Sequence, residues 1–221
     1  MLEFFNSLFE NIWFSFLGLF IGCGPDFKKD HNVLTRLLNE SEDSLIQKIR
    51  SNKAAHEIQI LYTRIHRDRE GNPIFKEFSY QENPKRYFYP ASTVKLPVAL
   101  LALEKVRKLQ RQGLGISPRS PFEILDENQK TLAVFDSTHP EGKLTISHLI
   151  KKLFLVSDNR AYNYLFDFLG RDHINKSLRE KGIRDFQIYH KFSGATNNDK
   201  SPEFVFLSEE GKEIYRQPAR V

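Results

Sequence analysis

A single cysteine, Cys23, excludes any disulfide within the chain. No apolar run reaches the ~20 residues that a membrane-spanning helix needs. Neither sign of charge dominates: 33 Lys and Arg stand against 28 Asp and Glu, and the resulting +5 is spread along the chain. Without a basic stripe, a nucleic-acid partner is not expected. The histidines at His139, His148, His173 and His190 lack metal-ligand spacing and are read as surface or core residues, so no metal is expected. No internal repeat or low-complexity tract occurs. What remains is a globular composition, and 221 residues suffice for one substantial core.

The lone cysteine has a telling position. The stretch "NIWFSFLGLFIGCG" has the length of a signal-peptide core and places the small residue Gly22 before Cys23. It resembles the lipobox of bacterial lipoproteins, which are cleaved before the cysteine and lipidated on it. Residues 1–22 are thus expected to be a lipoprotein-type signal peptide, with lipidation at Cys23 and 23–31 as a polar tether. The body would then be exported to the cell envelope and held at the membrane by a lipid anchor. The other reading is an amphipathic or buried first helix; Glu3 and Glu10 precede Cys23 and no Lys or Arg does.

Periodicity organises the rest. Val33, Leu34, Leu37, Leu38, Leu45 and Ile49 fall at near-helical spacing. "HEIQILYTRIHRD" and "IFKEFSYQ" alternate and flank the turn "REGNP", which predicts an antiparallel hairpin. Residues 96–109 predict one long helix, ended by "RQGLGISPRSP". Three further helices follow. The first, "TISHLIKKLFLVS", has Thr145 as its N-cap. The second, "NRAYNYLFDFLG", is closed by Gly170, and the third, "RDHINKSLREKGI", by Gly182. Helical spacing assigns Phe154, Phe166 and Phe168 to the core. From Tyr189 onward the chain is polar and poorly periodic. The order predicts an α+β fold, with a helical lobe on a small sheet.

Two short motifs carry chemistry. In "YPASTVKLPVALLALEKV", Ser92 and Lys95 are three residues apart at a helix start, so their side chains share one face. A serine at a helix N-terminus can have its oxygen poised and its own N–H aimed at an oxyanion. A half-buried lysine beside that positive end has its pKa pushed down and can take the serine's proton. Taken alone, the pair reads as well as an N-cap serine followed by an exposed lysine. In "LVSDNRAYNYL", Ser157-Asp158-Asn159 lies between two predicted helices, where all three residues also serve as caps.

Together, S-x-x-K and S-D-N with a hairpin before and helices between resemble the serine β-lactamase and penicillin-binding protein superfamily, especially the class A β-lactamase catalytic domain. The resemblance runs from about residue 32 to 188, within a partial serine hydrolase domain drawn over 32–221. It implies Ser92 as acylated nucleophile and Lys95 as base or proton relay. Ser157 would pass a proton to the leaving nitrogen, Asn159 would bind the substrate amide, and Asp158 would hold its loop. It implies no cofactor. The substrate would be a β-lactam or a peptidoglycan stem peptide.

Two expected parts are missing. No K-[ST]-G follows Asn159, and the later sheet strands that would carry it are expected to be absent, leaving two where the family has about five. The class A glutamate that activates the deacylating water also has no counterpart. Counting from Gly182 lands near Phe192, and Glu203 is the nearest later glutamate, with Asp199 a poorer choice. Acylation without fast deacylation would follow, which favours a peptidase-like or penicillin-binding role over an efficient lactamase. The rival reading is a non-catalytic or degenerate envelope lipoprotein that keeps the fold to bind a ligand or partner.

Overall fold

The computed structural model describes residues 31–192 and 197–220, so the readings made for residues 1–22 and Cys23 lie outside the described residues. Among the described residues, no helix is long and apolar enough to cross a membrane. The chain divides at Tyr89 and Pro90 into two compact units.

The first unit opens with three short helices, α1 (His31–Glu40), α2 (Ser44–Ser51) and α3 (Lys53–His56). The sequence predicts one helical stretch here, and the structure breaks it at Asp43. That carboxylate accepts from the backbone N–H groups of Leu45 and Ile46 at 2.8 and 3.0 Å, which ends one helix and caps the next. The predicted hairpin follows as β1 (Ile60–Arg67) and β2 (Pro73–Tyr80), antiparallel in unbroken register from Ile60↔Tyr80 to Arg67↔Pro73. Asp68 Oδ1 builds the turn by accepting from Glu70 N and Asn72 N at 2.9 and 2.8 Å. This sheet has two strands only among the described residues.

The second unit begins with a single 3₁₀ turn, Ala91–Val94, that runs directly into α4 (Lys95–Arg111). A short pair of strands comes next, β3 (Phe122–Leu125) and β4 (Thr131–Ala133). The three predicted helices are α5 (Ile146–Val156), α6 (Asn159–Leu169) and α7 (Arg171–Glu180). Thr145 caps α5 as predicted, its hydroxyl accepting from His148 N at 3.1 Å, and Gly170 closes α6 at φ 82°.

The tail of the chain corrects the sequence reading. Within the stretch read as poorly periodic, β5 (Glu203–Leu207) and β6 (Glu213–Gln217) form a hairpin. They join the first pair in an antiparallel sheet of order β4-β3-β5-β6. Strands therefore do occur after the helices, and among the described residues they extend the β3–β4 pair and add none to β1–β2. β5 escaped detection because Phe204, Val205 and Phe206 are all buried, which erases the period of two.

Phenylalanines lock the helices to this sheet. Phe122 stacks on Phe204 and Phe206 with ring centroids 5.5 and 5.2 Å apart, and Phe168 of α6 meets the same two rings at 5.7 and 5.5 Å. Helix α6 also packs against α4 and α5, burying Tyr162, Leu165 and Phe166 completely. Phe154 is the exception to the helical-spacing prediction: it is 56% exposed, on the outer face of α5 with Leu155 and Val156.

Candidate active site

The junctions at the starts of α4 and α6 meet. Ser92 sits in the 3₁₀ turn, preceded by Ala91 in a left-handed conformation at φ 45°. Lys95 is the first residue of α4, one turn on, and so lies on the same face. Between α5 and α6 the chain reverses within two residues. Ser157 ends α5 at φ 54°, ψ 39°, and Asp158 caps α6 by accepting from Ala161 N at 2.8 Å. Two non-glycine residues held in left-handed backbone beside one cluster mark a stretch fixed by its surroundings. Asp158 thus holds its loop, as the motif implies.

Lys95 is the hub. Its Nζ lies 3.2 Å from Ser92 Oγ, 2.8 Å from Ser157 Oγ and 2.8 Å from Asn159 Oδ1, and it also donates to the Ser157 carbonyl. Ser157 Oγ donates to Ser92 Oγ at 3.2 Å, which closes a triangle of two hydroxyls and an amine. The structure therefore brings together all four residues that the sequence singles out. An ammonium has three N–H groups for these four acceptors, so one bond is shared. The neutral amine can instead accept from a hydroxyl.

Exposure divides the cluster. Ser92, Ser157 and Asn159 are open to solvent, whereas Lys95 is 3% exposed. Burial pushes the Lys95 ammonium below its ordinary value of 10.5, and the Asp158 carboxylate offsets part of that. The ring of Phe192 covers the amine, its centroid 5.2 Å from Nζ.

A second layer of charge supports the corner. Lys152 Nζ bridges Asp136 at 2.9 Å and Asp158 at 3.3 Å, tying the α5–α6 junction to the loop that precedes α5. Burial pushes Asp136 up, but bonds from Thr138 and Lys152 outweigh it and hold the carboxyl well below the usual carboxylate range. Neither Lys152 nor Phe192 was assigned a role by the sequence. Lys152 stands beside a second lysine, Lys151, on the same helix, and nothing in the local sequence tells the two apart.

The remaining candidates fall elsewhere. Glu203 starts β5 with its carboxylate ion-paired to Arg216, and Asp199 is exposed. Among the described residues, no carboxylate hydrogen-bonds Ser92 or Lys95. No group of three His, Cys, Asp or Glu that could hold a metal ion occurs among the described residues.

Residues 43–214 match the family model described as the beta-lactamase enzyme family. Over 100 residues the chain is 31% identical to the beta-lactamase regulatory protein BlaB of Streptomyces cacaoi, a match that takes in 45% of this chain and 31% of that protein. A beta-lactamase structure from Sphaerobacter thermophilus DSM 20745 aligns over 70% of this chain and 54% of that one, at 22% identity and a TM-score of 0.39. The chain thus spans less than a third of the curated relative's length.

Proposed function

We propose, from the premise that this chain belongs to the beta-lactamase enzyme family, that it is a serine hydrolase acting through an ester on Ser92. The substrate class is a β-lactam or a peptidoglycan stem peptide. The observation that carries this reading is the Ser92–Lys95–Ser157 triangle, with a buried amine 3.2 Å from an exposed hydroxyl.

In the proposed reaction, neutral Lys95 takes the Ser92 proton as Oγ bonds to the substrate carbonyl carbon. Ser157 returns a proton to the nitrogen as the C–N bond breaks. Asn159 binds the substrate's amide side chain, and the Ser92 N–H at the helix opening faces the developing oxyanion. A positioned base contributes roughly 10²–10⁴ in rate, and one lost oxyanion donor costs roughly 10²–10³.

The test is the intact mass of the full chain after exposure to a penicillin. One penicilloyl increment is expected on the wild type and on Ser208→Ala, and none on Ser92→Ala. A folded wild type that never takes up the increment overturns the reading. That result would favour the second one, a non-catalytic envelope protein that binds a ligand or partner.

Export and lipidation at Cys23 belong to the same proposal, and with them a place in the cell envelope. The sequence "FIGCG" supports them. Protein from the native host should lack residues 1–22 and carry lipid on Cys23; a chain still starting at Met1 would end this part.

A further inference from the structure

Phe192 is held beside Lys95 through its backbone. Asn163 of α6 grips its backbone on both sides, with Nδ2 donating to the Phe192 carbonyl at 2.9 Å and Oδ1 accepting from its N–H at 2.8 Å. The amide side chain thus satisfies both backbone polar groups of Phe192. Four residues before it, Asn175 of α7 does the same to Ile188, at 2.8 and 2.9 Å. The Phe192 ring packs on Tyr162 with centroids 4.7 Å apart and meets His190 edge-on at 5.8 Å. Lys191, between them, points away and pairs with buried Asp167 at 2.9 Å. So the segment 188–192 is pinned, and the side chain it delivers to the amine is apolar.

The consequence concerns water. Hydrolysis of an ester on Ser92 needs one water whose oxygen bonds to the acyl carbon while the C–Oγ bond breaks. Its proton must pass to a base and return to Oγ. Lys95 is the base in contact with Ser92, and no carboxylate hydrogen-bonds either residue among the described residues. Water can reach the exposed Ser92, and among the described residues the amine in hydrogen-bond contact there is that of Lys95, at 3.2 Å. Over that amine the Phe192 ring stands, on the side not taken by the two hydroxyls and Asn159.

We propose that Phe192 is a positioning residue that walls Lys95 off from water, so that an acyl group once placed on Ser92 is released slowly. The inference rests on the acyl-serine reading above for the release step and on geometry alone for the wall. It assigns the site to covalent capture of its acyl donor over turnover.

Two effects of the ring oppose each other. Its face attracts the ammonium, by roughly 0.5–2 kcal/mol at close range, while its bulk strips water from the amine. Burial lowers the Lys95 pKa, and part of that burial is assigned to the ring 5.2 Å away. The charge that acts on Lys95 is Asp158, across the cluster, and it opposes burial without outweighing it.

The experiment compares wild type, Phe192→Ala and Phe192→Leu on the full chain, each checked by its melting transition. The first readout is the titration of Lys95 by NMR of isotope-labelled lysines, with no substrate present. Phe192→Ala should raise the Lys95 midpoint, and Phe192→Leu, which keeps the bulk and loses the π face, should leave it unchanged or lower. The second readout is the decay of a penicilloyl adduct by intact mass. Phe192→Ala should release it about 10-fold faster, a fraction of the roughly 10²–10⁴ a positioned base supplies, and Phe192→Leu should not. An unchanged Lys95 midpoint in a folded Phe192→Ala overturns the wall. A shifted midpoint with unchanged adduct lifetime overturns its role in release. Absence of any adduct on folded wild type overturns the acyl-serine reading and the release step with it, and the titration still decides the wall.

Discussion

The hairpin unit and the helical lobe use the same alternating and helical sequence signals, yet they end differently. In β1 the pattern predicts a buried face, but Tyr62 and Ile65 are more than half exposed, and the hairpin's buried residues are Phe78, Ser79 and Tyr80 at the end of β2. In the lobe, Phe122, Ile124, Phe204 and Phe206 of the sheet and Phe168 of α6 are almost completely buried against one another. A strand pattern specifies pairing, which β1 and β2 achieve over their whole length. Burial needs a second apolar layer, and the lobe supplies one where the two-stranded sheet has little. The candidate site sits where the packing is dense, because a lysine stays poorly solvated only if its surroundings are held still.

The contrast can be broken hardest in the aromatic stack. Phe204→Ala should cost about 3–5 kcal/mol, read by denaturant unfolding of the full chain; a loss below about 1 kcal/mol would mean the lobe is not the tighter unit. Next comes the charge bridge. Lys152→Met leaves Asp136 and Asp158 without their shared cation and should cost about 1–3 kcal/mol near neutral pH. Asp136 has a folded pKa held below its unfolded one, so its contribution is present above the unfolded value of 3.8 and is lost as pH falls below it. The Lys152→Met deficit should therefore shrink in acid. A deficit that stays constant from neutral pH into acid would show a packing effect instead.

A smaller change tests the interior of the lobe by pH alone. Lys105 donates to the Phe168 carbonyl at 2.5 Å and to Gln217. Burial, aided by the Arg220 charge, brings its pKa down to about 7. Between about 7 and the ordinary 10.5 the unfolded chain binds a proton that the folded lobe does not, so stability should rise with pH across that window. Lys105→Met should flatten that rise, and an unaltered slope would place the titration elsewhere. The smallest effect belongs to the hairpin. Ile65→Ser, at a position 56% exposed, should change stability by no more than about 0.5 kcal/mol. A larger loss would show that the hairpin face is more protected than its exposure implies.

Much of this was legible without coordinates where the signal is local. The hairpin turn at "REGNP", the caps at Thr145 and Gly170, and the placement of Ser92 one turn before Lys95 each depend on neighbours within a few residues. The failures share a cause. Four-residue strands such as β3 are too short to show a period, and β5 is buried too completely to show one. Phe154 fits the helical spacing of a core residue, but the face it lies on has no layer over it. Counting from Gly182 led to Phe192 in search of an acid, and only the structure gave the phenylalanine itself a place.

The sequence by itself determined which residue types could do chemistry and that Ser92 and Lys95 would share a helix face, since a helix repeats every 3.6 residues whatever surrounds it. The tertiary structure decided that Ser157 Oγ would come within 3.2 Å of Ser92 Oγ, across 65 residues of chain. It also decided that Lys95 would be buried, that Lys152 would join two carboxylates and that an aromatic ring would close over the amine. Each of these depends on how α4, α5 and α6 pack, and packing is set by the fit of whole faces, which no short stretch of sequence contains.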